Sequence, residues 1–78
     1  MEDNLRKLVK ENTIHEKYKL NNASQLGTQL GLSRNWISQY LNEYYNDGTF
    51  IKINTRPVVF LDREALEEKY SIRVDKNL

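Results

Sequence analysis

The apolar positions of this chain change period along its length. Leu5, Leu8 and Val9 recur at helical spacing among Arg6, Lys7, Lys10 and Glu11, which predicts an amphipathic helix opening near Glu2 or Asp3. Ile14 and Tyr18 offer to continue its stripe to about Lys17, whereas Asn12 and Thr13 are poor interior residues that loosen a helix, so its far end is open. Asn22 with Gln25 three residues later resembles a capping box and predicts a second helix from Ala23, with Leu26 and Leu30 one turn apart on its inward face. Gly31 ends that helix, because glycine supplies the left-handed conformation needed there. Ser33 is a good N-cap for a third helix, carrying Ile37, Tyr40, Leu41 and Tyr44 at three- and four-residue steps and stopping at Asn46-Asp47-Gly48.

Beyond Gly48 the pattern becomes β-rich. Phe50, Ile51 and Ile53 predict a strand, Asn54-Thr55-Arg56-Pro57 a turn, and Val58 to Leu61 a second strand, together a hairpin. Asp62 caps a closing helix from Arg63 to about Tyr70 that packs through Ala65 and Leu66. The predicted fold is mainly α with a small β-hairpin: a winged helix-turn-helix with a three-helix core, a two-stranded wing and a C-terminal helix. It fills residues 1–72 as one domain, with residues 73–78 as a flexible tail.

Composition narrows the classes. With 38% hydrophobic and 29% charged residues, the chain is too apolar for a disordered protein, and no apolar run is long enough to cross a bilayer. Met1 to Lys10 lacks the apolar core of a signal peptide, so a cytoplasmic location without membrane contact is expected. There is no cysteine, which removes disulfides, zinc-thiolate sites and thiol catalysis together. His15 is the single histidine and no carboxylate pair is tied by motif to a nucleophile. A non-enzyme is therefore expected, with no cofactor, metal or small-molecule ligand.

The net charge of +1 decides nothing by itself, but its distribution does. From Lys17 to Asn42 the charged residues are Lys17, Lys19 and Arg34, and from Gly48 to Leu61 they are Lys52 and Arg56, with no acid in either stretch. The stretch Ala23 to Asn42 places Gly27 where two helices cross, Gly31 at a tight turn, and Leu26, Leu30, Leu32, Ile37 and Leu41 in the angle between them, which suits a helix-turn-helix. If that corner reads double-stranded DNA, the helix after Gly31 enters the major groove with Arg34, Asn35, Ser38, Gln39 and Asn42 exposed. Arg34 can fork onto guanine or grip a phosphate, Asn35 and Gln39 can pair with adenine, and Ser33 and Ser38 can bond phosphate or a base edge.

The blander alternative is a solvated polar helix face, and DNA reading is preferred because the corner, the lack of acid and the wing occur together. Around the wing turn, Lys52, Asn54, Thr55 and Arg56 can follow the backbone or enter the minor groove, although Arg56 is equally readable as a solvated turn arginine. Trp36 falls off the apolar stripe; packing against helix one or another subunit is preferred for it over contact with a sugar or thymine methyl. Tyr44 and Tyr45 are expected to divide between core and surface. The rival to DNA binding is a winged helix used for protein contact or dimerisation.

The residues Leu30-Gly-Leu-Ser-Arg34, Ile37-Ser-Gln-Tyr-Leu-Asn-Glu43, Gly48, Phe50-Ile-Lys-Ile53 and Arg56-Pro-Val-Val-Phe-Leu-Asp62 resemble the N-terminal winged helix of LevR-type activators. The likeness runs from about Asn22 to Glu64, and Trp36 and Thr55 depart from the small or polar residue and the glycine usual there. It implies a sigma-54-dependent activator of sugar phosphotransferase operons, with a central ATPase and phosphorylatable regulatory domains downstream. This chain carries no glycine-lysine phosphate loop, so the resemblance implies the N-terminal targeting domain of a larger protein that binds DNA and self-associates through its full length.

Overall fold

The computed structural model describes residues 2–70, in the order α1 (Glu2–Ile14), a 3-10 turn (Tyr18–Leu20), α2 (Ala23–Leu30), α3 (Arg34–Asn46), β1 (Phe50–Ile53), β2 (Val59–Asp62) and α4 (Arg63–Tyr70). This is the expected winged helix-turn-helix. The tail placed at residues 73–78 lies outside the described residues, as does the end of the domain.

Burial follows the predicted periods. Leu5 and Val9 of α1, Leu26 of α2, Ile37 and Leu41 of α3, Phe50 of β1 and Phe60 of β2 form one core cluster. Leu8, Ala23, Leu30, Leu32, Tyr40, Tyr44 and Val58 pack around it. Each such side chain withdrawn from water contributes roughly 1.5–3 kcal/mol if fully buried, so the apolar stripes determine which helix faces meet.

The ends of α1 and α2 use the same device with different residues. Glu16 takes a left-handed φ of 59°, while Glu16 N–H donates to Thr13 O at 3.2 Å and Lys17 N–H to Asn12 O at 2.7 Å. These two bonds close a Schellman turn without glycine. Ile14, five residues past Val9, falls on another face of α1, and the turn swings Tyr18 away, so neither continues the buried stripe and each is 39% exposed. Gly31 closes α2 at φ 68°, with its own N–H and that of Leu32 both on Gly27 O. Gly27 is required for space, since a Cβ there would stand 2.8 Å from the Leu32 carbonyl oxygen and 3.6 Å from Ile37 Cγ1. At the start of α2, Asn22 Oδ1 accepts from Gln25 N–H at 2.9 Å, which is the N-cap half of the expected capping box, without a return bond from the exposed Gln25 side chain among the described residues.

Asn12 and Thr13 do not loosen α1. Both are buried and serve the sheet. β1 and β2 pair antiparallel in the register Phe50↔Asp62 to Ile53↔Val59, which leaves the other edge of β2 facing α1. Asn21, fully buried, closes that edge: its Nδ2 donates to Phe60 O at 2.9 Å and Val9 O at 3.2 Å, and its carbonyl accepts from Phe60 N–H at 3.1 Å. Asn21 Oδ1 in turn accepts from Asn12 Nδ2 at 2.9 Å. Two residues along the edge, Thr13 Oγ1 accepts from Asp62 N–H at 3.1 Å while donating to Val9 O at 2.8 Å. This pairing draws Asp62 into β2, so the strand lies one residue later than the hydrophobic run Val58 to Leu61 suggests.

Asp62 also caps α4, with Oδ1 accepting from Ala65 N–H at 2.9 Å. Among the described residues its Oδ2 has no hydrogen-bond partner, and Arg6 Nε is 4.0 Å away. Burial raises its pKa above the ordinary 3.8, outweighing the Ala65 N–H and the charges of Arg6 and Lys10, which favour ionisation.

Two stability predictions follow from this edge. Asn21→Ala strands the Phe60 carbonyl and the Asn12 amide and should cost about 2–4 kcal/mol in chemical denaturation. Asn21→Asp keeps the shape but loses both donations and buries a charge, so its loss should be larger; equal losses would show that the donor amide is not what matters. For Asp62, the raised folded pKa means a stabilisation present below the unfolded pKa and lost as pH rises through the folded value. Asp62→Asn keeps a capping acceptor without that penalty, so its stability relative to the parent should improve as the pH rises from below the ordinary 3.8 through the raised folded value. The opposite trend would show that Arg6 and the cap outweigh burial.

Candidate nucleic-acid interface

Gly31 turns the chain so that α3 crosses α2, and Ser33 Oγ accepts from Trp36 N–H at 3.4 Å to open the helix. Since Ile37 and Leu41 are buried, helical periodicity turns Arg34, Asn35, Ser38, Gln39 and Asn42 outward on a single arc. All are exposed except Ser38, which is partly buried. The hairpin stands beside that arc, and a groove of about 400 Å³ opens between them.

The groove brings together Arg34, Ser38 and Asn42 from α3 with Lys52, Thr55 and Arg56 from the hairpin. Leu41, Val58, Phe60 and Pro57 give it an apolar floor, and among the described residues no carboxylate lines it. Among the described residues, neither Arg34, Lys52 nor Arg56 has a carboxylate within the 4.0 Å that defines the ion pairs found elsewhere. Those pairs lie on the other side of the fold, where Arg6 and Lys10 of α1 hold Glu64 and Lys69 of α4 holds Glu16. Three uncompensated cations beside an apolar floor suit a sugar-phosphate chain, whose charge is on one edge and whose sugars are on the other.

The remaining expected site residues are placed differently. Asn35 and Gln39 face outward on the arc beyond the groove, where a base edge in a major groove would meet them. Ser33 is engaged in capping α3. Thr55 Oγ1 donates to Pro57 O at 2.8 Å within the turn, and Asn54 is exposed at its outer side. Trp36 does not pack beneath helix one: it is 54% exposed and stacked along Tyr40 of its own helix, ring centroids 6.1 Å apart. Tyr44 and Tyr45 divide as expected, Tyr44 packing on Phe50 at 4.8 Å and Tyr45 remaining 44% exposed.

Two contributions escaped the sequence. Asn22, Ala23 and Ser24 at the start of α2 form one wall of the groove, a closeness that depends on the helix crossing at Gly27. Tyr45 stands beneath Lys52, whose Nζ is 5.6 Å from the ring centroid. The spacing of Arg34, Ser38, Asn42 and Tyr45 is the signal that places Tyr45 on the same flank.

The chain is similar to the transcriptional regulatory protein DagR of Salmonella typhimurium (strain 14028s / SGSC 2262), with 53% identity over 45 residues. That match takes in 58% of this chain and 5% of the relative, so the chain spans only a small fraction of that protein's length. No family model matches the chain. No solved structure matches it. No helix among the described residues is long and apolar enough to cross a membrane.

Proposed function

We propose that this domain binds double-stranded DNA as the targeting part of a bacterial transcription regulator. The reading is carried by the gathering of Arg34, Ser38, Asn42, Lys52, Thr55 and Arg56 around one groove that no carboxylate lines among the described residues. α3 lies in the major groove with Arg34, Asn35, Gln39 and Asn42 at base edges, while Lys52 and Arg56 hold the backbone beside it. The likeness to a transcriptional regulatory protein supports the same role. At a finer level, the likeness to LevR-type domains supports a sigma-54-dependent activator of sugar phosphotransferase operons, working in the cytoplasm. The domain itself performs no catalysis and needs no cofactor, and self-association of the whole regulator would supply a second half-site. Exposed Trp36, stacked along the partly buried Tyr40, favours one rival, a protein-contact surface on the same helix.

Salt distinguishes the two. Titrating a random-sequence duplex at about 50 and 200 mM salt should show affinity falling roughly 12-fold if Lys52 and Arg56 each neutralise a phosphate, by a slope of about 0.9 per contact. Absent or salt-independent binding, with association that is lost on Trp36→Ala, would instead support protein contact. Once a preferred site has been selected from a random library, Arg34→Ala should lower discrimination by about 1–3 kcal/mol at one base pair. Arg56→Ala should weaken all duplexes alike. Parent-like binding by both variants would remove these assignments.

A further inference from the structure

Tyr45 is an exposed aromatic residue that the core does not require, because its neighbour Tyr44 supplies the ring that packs on Phe50. It follows Arg34, Ser38 and Asn42 on one flank of α3, in steps of four, four and three residues. Lys52, on β1 opposite Phe60, reaches across so that its ammonium lies 5.6 Å from the Tyr45 ring centroid. That is within the range of a cation–π contact, about 6 Å. Lys52 has no carboxylate partner among the described residues, so the ring is the group that orients it.

We propose that Tyr45 is a positioning residue for DNA binding, its ring holding the Lys52 ammonium between α3 and the wing for a backbone phosphate. This rests on the DNA-binding reading above. A lysine side chain left free loses much rotamer freedom when it grips a phosphate, and a contact already made in the free protein lowers that loss. The choice of an aromatic partner has a further consequence. A carboxylate at position 45 would orient Lys52 equally well but would cancel its charge, whereas a neutral ring orients the cation and leaves it available to a phosphate. The contact also ties β1 to α3 outside the core, so the spacing between recognition helix and wing becomes part of the binding site.

The test uses the full chain and a random-sequence duplex of about 20 base pairs, followed by fluorescence anisotropy at low salt, because the contact in question is to the backbone and independent of sequence. Tyr45→Phe should bind as the parent does, since the ring is kept. Tyr45→Leu should weaken binding by about two- to fivefold, the range expected for an exposed cation–π contact, and Tyr45→Glu should weaken it further. In a Lys52→Gln background Tyr45→Leu should cause no additional loss. Unfolding midpoints identify any variant that fails to fold. In the free protein, NMR should show the Lys52 ε-methylene protons moved upfield by the ring in the parent and in Tyr45→Phe, but not in Tyr45→Leu. Unchanged or tighter binding by Tyr45→Leu, an equal loss in the Lys52→Gln background, or a parent that binds the duplex without the upfield shift would overturn the positioning role alone. A parent that shows the shift and binds no duplex would overturn the DNA-binding reading, and this role with it.

Discussion

The closure of the free edge of β2 by residues of the first helix and its following link is the constraint on which the groove depends. A two-stranded hairpin has little stability of its own, and its second edge, turned inward, would leave backbone groups without water or partners. Asn21 meets both polar groups of Phe60, and Thr13 meets the N–H of Asp62 one rung further on. The Asn21 main-chain carbonyl and the Asn21 and Thr13 side chains thus take the place of a third strand. Because Phe60 also lies in the core and lines the groove, the bonds that fasten β2 to α1 fix one wall of the functional site. The opposite wall, α3, is set independently by the Gly31 turn and by Gly27's contact with Leu32. The distance between recognition helix and wing is therefore a property of the buried network, adjusted at the surface by Tyr45 and Lys52.

The same architecture explains how a chain with a net charge of only +1 presents a cationic face. Acid is not scarce, but the fold spends several carboxylates on the α1–α4 side, where Glu64 takes Arg6 and Lys10 and Glu16 takes Lys69. Surface pairs of this kind contribute little stability, typically 0–1 kcal/mol, so their effect is mainly on where charge is left over. Asp62 belongs to that side as well, buried beneath Arg6 and held there by its capping bond despite the cost of burial. At the groove, Arg34, Lys52 and Arg56, from the two acid-free stretches of the sequence, keep no carboxylate partner among the described residues.

Much of the fold was legible because local chemistry and tertiary packing agree. Asn22, Ser33 and Asp62 cap the helices they precede, Gly31 turns where a left-handed residue is needed, and the stripes of α2 and α3 enter the core. The misreadings concern polar residues whose partners are distant in sequence. Asn12 and Thr13 look like weaknesses in a helix until Asn21 and Asp62 arrive from elsewhere to bond them. Ile14 falls on another face of α1 and Glu16 ends that helix in a conformation that favours glycine, so Ile14 and Tyr18 mimic a stripe they do not join. For the site, the arc of α3 follows from periodicity alone. Its meeting with Lys52 and Arg56 depends on the hairpin's placement, and the engagement of Ser33 and Thr55 in local bonds depends on turn geometry that residue type does not specify.

On the DNA-binding reading proposed above, a single arginine among Arg34, Asn35, Ser38, Gln39 and Asn42 would supply modest long-range attraction, and base preference would fall to hydrogen bonds from amides and hydroxyls. Those bonds weaken steeply with small errors of angle and distance, much more than the pull of a charge does. The helix that carries them must therefore be held rigidly. The close packing at Gly27, where even a methyl group would stand 2.8 Å from the Leu32 carbonyl oxygen and 3.6 Å from Ile37 Cγ1, holds α2 directly against the turn that leads into α3. Tight packing and a weakly charged reading face are in this sense one solution: what the domain lacks in charge, it recovers in how exactingly its helix is placed.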